Sequence, residues 1–391
     1  MPGHFYNVPI PVIEKINAAF LLLKRYTFAA DMNHSSGQSA SRYVAYWLLL
    51  GVFMLVVQII LGGITRLTGS GLSITEWNVV TGTLPPLNEQ QWITEFNKYR
   101  QTPQFRLLNA DFNLQDFKFI FFWEWFHRFW ARTVGAVFLV GFAWFWFTKK
   151  FKRKMVRPLA ILFLLGALQG VIGWIMVASG LTGDAVYVKP TRLALHFIFA
   201  LGLISYTLWF ALELLVPPNR ILYNRKTRGW TWSVLLVLFF QLMYGALMAG
   251  HKAATEAPTW PTINGDWIPA SMFSASPVLL NFIENKITIH FIHRGLAYLL
   301  LVLIIGWTIH AGRLSKTTAN DFLRKSQWVP LAMISLQIIL GISAVLSSPG
   351  IVPNHWVIFD WLALCHQLTG MLFLLLMIYM IYLVRGDQAM A

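Results

Sequence analysis

Four histidines, each preceded by the same short pattern, are the residues of this chain best suited to chemistry. A glutamine followed four positions later by glycine occurs at Gln58/Gly62, Gln169/Gly173, Gln241/Gly245 and Gln337/Gly341. Each pair closes an apolar run, and a second apolar run follows with a histidine near its start: His127, His196, His293 and His366. Neutral imidazole is a standard axial ligand of haem iron, and ionisable groups inside apolar segments are functional candidates by default. A lone histidine in such a run is often only a hydrogen-bonded polar residue. Four at equivalent places, two in each half of the chain, point instead to axial haem ligation. Zinc or copper fits less well, because no carboxylate or thiolate completes a ligand set in the second half.

The neighbours of these histidines differ in an informative way. Arg128 and Arg294 directly follow two of them, Arg132 lies one turn further on, and Arg66 and Arg192 stand at outer helix ends. Haem propionates are carboxylates that an arginine fork binds well, so propionate contact is expected of Arg128 and Arg294; snorkelling at the interface is the alternative. Three residues before the first histidine of each half stands Glu124 in one case and His290 in the other. That spacing shares a helix face. Glu124 is therefore either a carboxylate over a bound haem, able to stabilise charge or accept protons, or a partner for a nearby arginine. His290 reads as a core polar residue, His251 as a surface one, and the single cysteine, Cys365, as a small buried filler. The glutamine–glycine pairs read as packing elements, with the glutamine able to bond across helices or to a ligand histidine.

The elements that hold these residues are membrane helices. Hydrophobic residues make up 57% of the chain and charged ones 12%, against roughly 25% charged in a soluble domain. Eight apolar runs reach the length of about 20 residues that a spanning helix needs: 43–64, 119–147, 158–178, 192–216, 230–250, 287–311, 328–347 and 359–384. The expected fold is an all-α polytopic membrane protein of two duplicated four-helix bundles. Gln169 to Gln337 is 168 residues, His196 to His366 is 170 and His127 to His293 is 166. EWFHR at 124–128 aligns with HFIHR at 290–294 in the same register. The domains follow: an N-terminal segment 1–42, a first bundle 43–216, a linker 217–229, a second bundle 230–385 and a tail 386–391. A stretch at 16–30 reads as an interfacial amphipathic piece, and no cleavable signal peptide is evident.

The net charge of +15 is not a nucleic-acid footprint. It concentrates at 149–157, 220–228 and 313–325, in alternate connections, with more in the N-terminal segment. Positive residues mark the cytoplasmic side, so both termini face the cytoplasm, and 65–118 and 251–286 lie outside. All four histidines then fall in one outer layer. The first outer loop carries Pro85-Pro86 and a short amphipathic helix at 89–100; both outer loops read as solvated caps and as lids over the haem edges.

The block GGITRLTGSGLSITEWNVVTGTLPPLNEQQW, followed by ExxHR at 124–128, RLALHF at 192–197, the pair His293-Arg294 and the late His366, resembles haem A synthases over nearly the whole chain from residue 44. The resemblance implies oxidation of the C8 methyl of haem O to a formyl group, giving haem A for terminal oxidases. It implies that His127, His196 and Arg128 face the substrate haem, that Glu124 is catalytic, and that His293, His366 and Arg294 hold haem b. It also implies a bacterial inner membrane, with haem O synthase and oxidase assembly factors as partners and a homo-oligomer left open. Some bacterial members carry a cysteine pair in the outer loops; this chain has none, which excludes any mechanism that depends on those thiols. Two rivals remain: a bis-histidine cytochrome b that only passes electrons, which leaves the Glu124/His290 asymmetry without a purpose, and a transporter with histidine proton relays, which would be colourless.

Overall fold

The structure, a computed structural model, describes residues 41–77, 81–317 and 321–385. The expected amphipathic piece at 16–30, the basic residues before it and the tail 386–391 lie outside the described residues. Among the described residues, eight helices are long and apolar enough to cross a membrane. They are α1 (Ser41–Leu67), α2 (Leu114–Phe147), α3 (Arg153–Ala178), α4 (Pro190–Leu215), α5 (Arg225–Gly250), α6 (Lys286–Thr317), α7 (Val329–Ser347) and α8 (Ile358–Leu383). The remaining described elements are short helices and turns in the connections.

Several helices begin before their apolar runs, and the caps explain why. Asn113 accepts from the Gln115 and Asp116 amides while Asp116 bonds back to the Asn113 amide, so α2 starts at Leu114. Asn224 caps α5, drawing Arg225, Lys226 and Arg228 out of the expected linker and into the first turns of that helix. Asn285 accepts from the Ile287 and Thr288 amides at the head of α6. A side-chain oxygen satisfies amides that no preceding turn can reach, and this fixes a start that hydropathy alone does not mark.

The two halves meet through α1 and α4 on one side and α5 and α8 on the other. α4 packs on both α5 and α8, and Gln367 of α8 donates to the Ile59 carbonyl of α1 at 3.1 Å. The largest buried cluster lies here, joining Ile59, Leu201, Ile204, Leu238, Leu300 and Met371 with their neighbours. The equivalent outer pairs differ. α6 packs closely on α7, whereas α2 and α3 are not close-packed neighbours, and the most apolar window of α2 has no buried residue. α2 is tied to α1 instead, through Trp47 donating to the Val137 carbonyl at 3.2 Å and Trp130 to the Met54 carbonyl at 2.9 Å.

The long first loop is folded rather than merely solvated. The expected helix is present at Glu89–Arg100, and a second, Pro103–Leu108, follows it. Tyr99, Phe105, Phe117, Ile120 and Phe121 pack into one aromatic cluster on the head of α2. Burial pushes the Tyr99 hydroxyl up to about 12; it donates to Gln104 and accepts from Asn109. Gln104 in turn donates to the Gly69 carbonyl, holding this cap over the end of α1.

Candidate functional site

Each of the four histidines lies directly against the glycine of the pair that precedes it in sequence. A Cβ built on Gly62 would stand 3.4 Å from His127, one on Gly173 2.9 Å from His196, one on Gly245 3.2 Å from His293, and one on Gly341 2.8 Å from His366. The glutamines complete the pairing. Gln58, Gln169 and Gln337 donate their side-chain amide to the backbone carbonyls of His127, His196 and His366, at 3.2, 3.1 and 2.9 Å. Gln241 places its amide nitrogen 3.4 Å from the His293 ring. The pattern read in the sequence as packing is thus a repeated helix-to-histidine contact, made between α1 and α2, α3 and α4, α5 and α6, and α7 and α8. The side-chain oxygens of all four glutamines are buried without a hydrogen-bond partner among the described residues.

In the second half the structure brings the two ligand candidates together, edge to face. The His293 and His366 rings have centroids 6.2 Å apart and planes inclined at 75°. His366 donates from Nδ1 to the Gln337 carbonyl at 3.0 Å, so Nε2 carries the lone pair, 3.4 Å from the Gln337 side-chain amide nitrogen. In the first half, Gln169 approaches His196 Nδ1 at 3.1 Å. Among the described residues, no cluster of three or more histidine, cysteine or acidic side chains could hold a bare metal ion. Paired single histidines suit a metal that brings its own equatorial ligands.

Glu124 is 2% exposed and fully engaged. Arg128 donates to its Oε1 at 2.6 Å, while Ser73 and the Ile74 amide donate to Oε2 at 2.8 and 2.9 Å. Of the two sequence readings, the arginine partnership is the one these contacts display. The carboxylate also staples the loop after α1 to α2, a role that the TRLTGSGLS string carries through Ser73 and that sequence reasoning missed.

Both arginines that follow a histidine engage the outer loops. Arg128 donates to the Glu76 and Ile74 carbonyls and stacks 4.9 Å from the Trp77 ring centroid. Arg294 donates to the Thr262 and Ala257 carbonyls and, through Nε, to His290 Nδ1 at 3.1 Å. Both forks are taken up by the outer loops. The reason is that a loop folded back over helix heads carries carbonyls water cannot reach, and a planar guanidinium satisfies several at once. The i, i+4 pairs Glu124–Arg128 and His290–Arg294 are therefore equivalent clamps, charged in one half and carrying an acceptor imidazole in the other.

The remaining residues fall out as follows. His290 is wholly buried, as expected of a core polar residue. His251 ends α5 and donates to the Ile283 carbonyl at 2.8 Å. Cys365 is exposed rather than a buried filler, because one step along a helix turns a side chain about 100° away from the face that holds His366. Arg192 donates to the Ile175 carbonyl, bracing α4 on α3.

Comparison with known proteins agrees with this architecture. A family model described as cytochrome oxidase assembly protein matches residues 45–378. The chain is 41% identical to a haem A synthase of Rhodospirillum centenum over 90% of both chains. It is 40% identical to a haem A synthase of Parvibaculum lavamentivorans over 85% of this chain and 92% of that one. It is 40% identical to one of Paracoccus denitrificans over 81% and 82%. Matched by the family model over residues 45–378, and by these relatives over most of its length, the chain belongs to the cytochrome oxidase assembly protein family.

Proposed function

We propose that this protein is a haem A synthase of a bacterial inner membrane, oxidising the C8 methyl of haem O to a formyl group. The observation that carries the reading is the identity of about two residues in five with haem A synthases over nine-tenths of both chains. The four histidines seated on four repeated glycines agree with it.

The second half is assigned to haem b, which His293 and His366 would hold; their ring centroids lie 6.2 Å apart, close enough for one metal between them to reach both. Bound there, haem b supplies one-electron redox chemistry. The first half is assigned to the substrate, with His127 and His196 orienting haem O. Converting a methyl to a formyl group removes electrons and protons together, so a buried proton acceptor is needed beside the reacting edge. Glu124 is the candidate: it is the buried carboxylate one turn from His127, held in place by Ser73, Ile74 and Arg128. Arg128 pairs with it and ties the outer cap down over the site through the Glu76 and Ile74 carbonyls. His290 stands at the equivalent place in the second half, with an imidazole in place of the carboxylate, and accepts the Arg294 hydrogen bond on its Nδ1.

The test is pigment analysis of cells that make haem O. With the protein present, mass spectrometry of extracted haems should show haem A, and the purified protein should show b-type haem by pyridine haemochrome. Haem O persisting unconverted beside abundant, haem-loaded protein would refute the synthase reading and favour an electron-passing cytochrome b. A colourless preparation would favour transport.

A further inference from the structure

In an α-helix the carbonyl of residue i accepts from the amide of residue i+4, and the side chain at i+4 leans back over that carbonyl because Cβ points toward the N-terminus. A glycine at i+4 uncovers it. We propose that Gly341 and Gly245 are positioning residues that expose the glutamine carbonyl one turn back to the facing histidine, so that its Nδ1–H is held there and Nε2 is the nitrogen offered to iron. This rests on the ligand assignment above.

The complete form is between α7 and α8. His366 Nδ1 donates to the Gln337 carbonyl at 3.0 Å, and the Gln337 side chain donates back to the His366 carbonyl at 2.9 Å. The ring reaches that carbonyl only by lying where a Cβ of residue 341 would be, 2.8 Å from His366 Cε1 and 3.3 Å from Nδ1. Between α3 and α4 the same edge of the ring faces glycine: His196 Cε1 lies 2.9 Å and Nδ1 3.4 Å from the Cβ position of Gly173. Between α5 and α6 the His293 distances are 3.2 Å to Cε1 and 3.8 Å to Nδ1. The first pair differs. His127 turns Nε2, not Nδ1, toward Gly62, at 3.4 Å, so its ring must turn over before Nε2 can serve as ligand. The bond itself is formed at His366; His293 Nδ1 is buried beside Gly245 without a hydrogen-bond partner among the described residues, and His196 Nδ1 meets the Gln169 side-chain amide instead, at 3.1 Å.

A backbone carbonyl on Nδ1–H makes the imidazole a stronger donor to the metal and stabilises the oxidised state. Removing it should raise the reduction midpoint of the haem. The experiment compares purified wild-type protein with Gly341→Ala, Gly245→Ala and Gly295→Ala, by b-haem content, midpoint potential and ferric electron paramagnetic resonance. Gly295 lies on α6 two residues from His293, and a Cβ there meets nothing within 4 Å. Gly341→Ala is expected to lose b haem or, in the fraction that retains it, to show a raised midpoint and a shifted ferric signal, with Gly295→Ala matching wild type. Should Gly341→Ala not accumulate, Gly245→Ala, with its looser contact, carries the same readout. Wild-type content, midpoint and ferric signal in both Gly341→Ala and Gly245→Ala would overturn the proposal. Wild-type protein without b haem, or with a b-haem spectrum unmoved by His293→Leu and His366→Leu, would instead overturn the ligand assignment.

Discussion

At the scale of single residues, the Glu124–Arg128 pair joins structure to chemistry. Its side chains are 3% and 12% exposed, so it is a buried ion pair whose members each need the other. Glu124→Gln keeps an acceptor for Ser73 and Ile74 but turns an amide N–H toward Arg128, or the reverse if the amide flips. Breaking a buried pair from one side typically costs about 3–5 kcal/mol, and a single placed acid–base group contributes about 10²–10⁴-fold in rate. The expected phenotype of Glu124→Gln is accumulation of haem O at near-normal haem b content, together with faster amide exchange over residues 70–77. Glu124→Asp should be intermediate, since the charge remains but is withdrawn by one methylene. Haem A at wild-type yield from the Gln variant would reduce Glu124 to a loop staple. Slowed conversion without any change in exchange would mean that it is a proton acceptor and no staple.

At the scale of elements, close approach between helices is set by glycines facing aromatic rings. On α2, a Cβ at Gly141 would stand only 2.2 Å from Trp47 Nε1 on α1. That indole is stacked on Phe138 at 5.3 Å and hydrogen-bonded to the Val137 carbonyl, so it has no free path to retreat. Overpacking of this kind costs typically about 1–3 kcal/mol. Gly141→Ala should lower the thermal midpoint in detergent, while Gly135→Ala on the same helix, where a Cβ meets nothing within 4 Å, should not. Equal midpoints for the two variants would show that α1 and α2 are not locked at Trp47. The contact matters because α2 lacks the close partner that α6 has in α7, and α2 carries both His127 and Glu124.

For the whole molecule, orientation follows from where the cations lie. The basic residues at 149–157, 220–228 and 313–325 sit at one end of the bundle, opposite the two folded caps at 65–118 and 251–286. A reporter fused after residue 155 should give a cytoplasmic signal and one after residue 270 an external signal. Matching signals from both positions would break the eight-span topology. Joining the halves through α1, α4, α5 and α8 makes the central interface the best-packed region. The outer pairs, by contrast, are left to differ between the halves.

The sequence by itself determined the eight spans, the four histidines and the glutamine–glycine pattern that precedes each, because hydropathy and repeat spacing are local and periodic. It also marked the asymmetry of Glu124 against His290. It could not say what the asymmetry connects to. That Glu124 meets Ser73 and Ile74 depends on a loop returning across 50 residues of chain, and no spacing rule encodes such a return. The loop contacts of the arginines were hidden for the same reason: a guanidinium beside a histidine suits a propionate or a loop carbonyl equally well, and only the folded caps bring the carbonyls within reach. The glycines were legible as places of close approach, but their partners were not. Tertiary packing alone decided that each one faces a histidine on the next helix, since a missing side chain specifies room and leaves the occupant to whichever helix face packs against it.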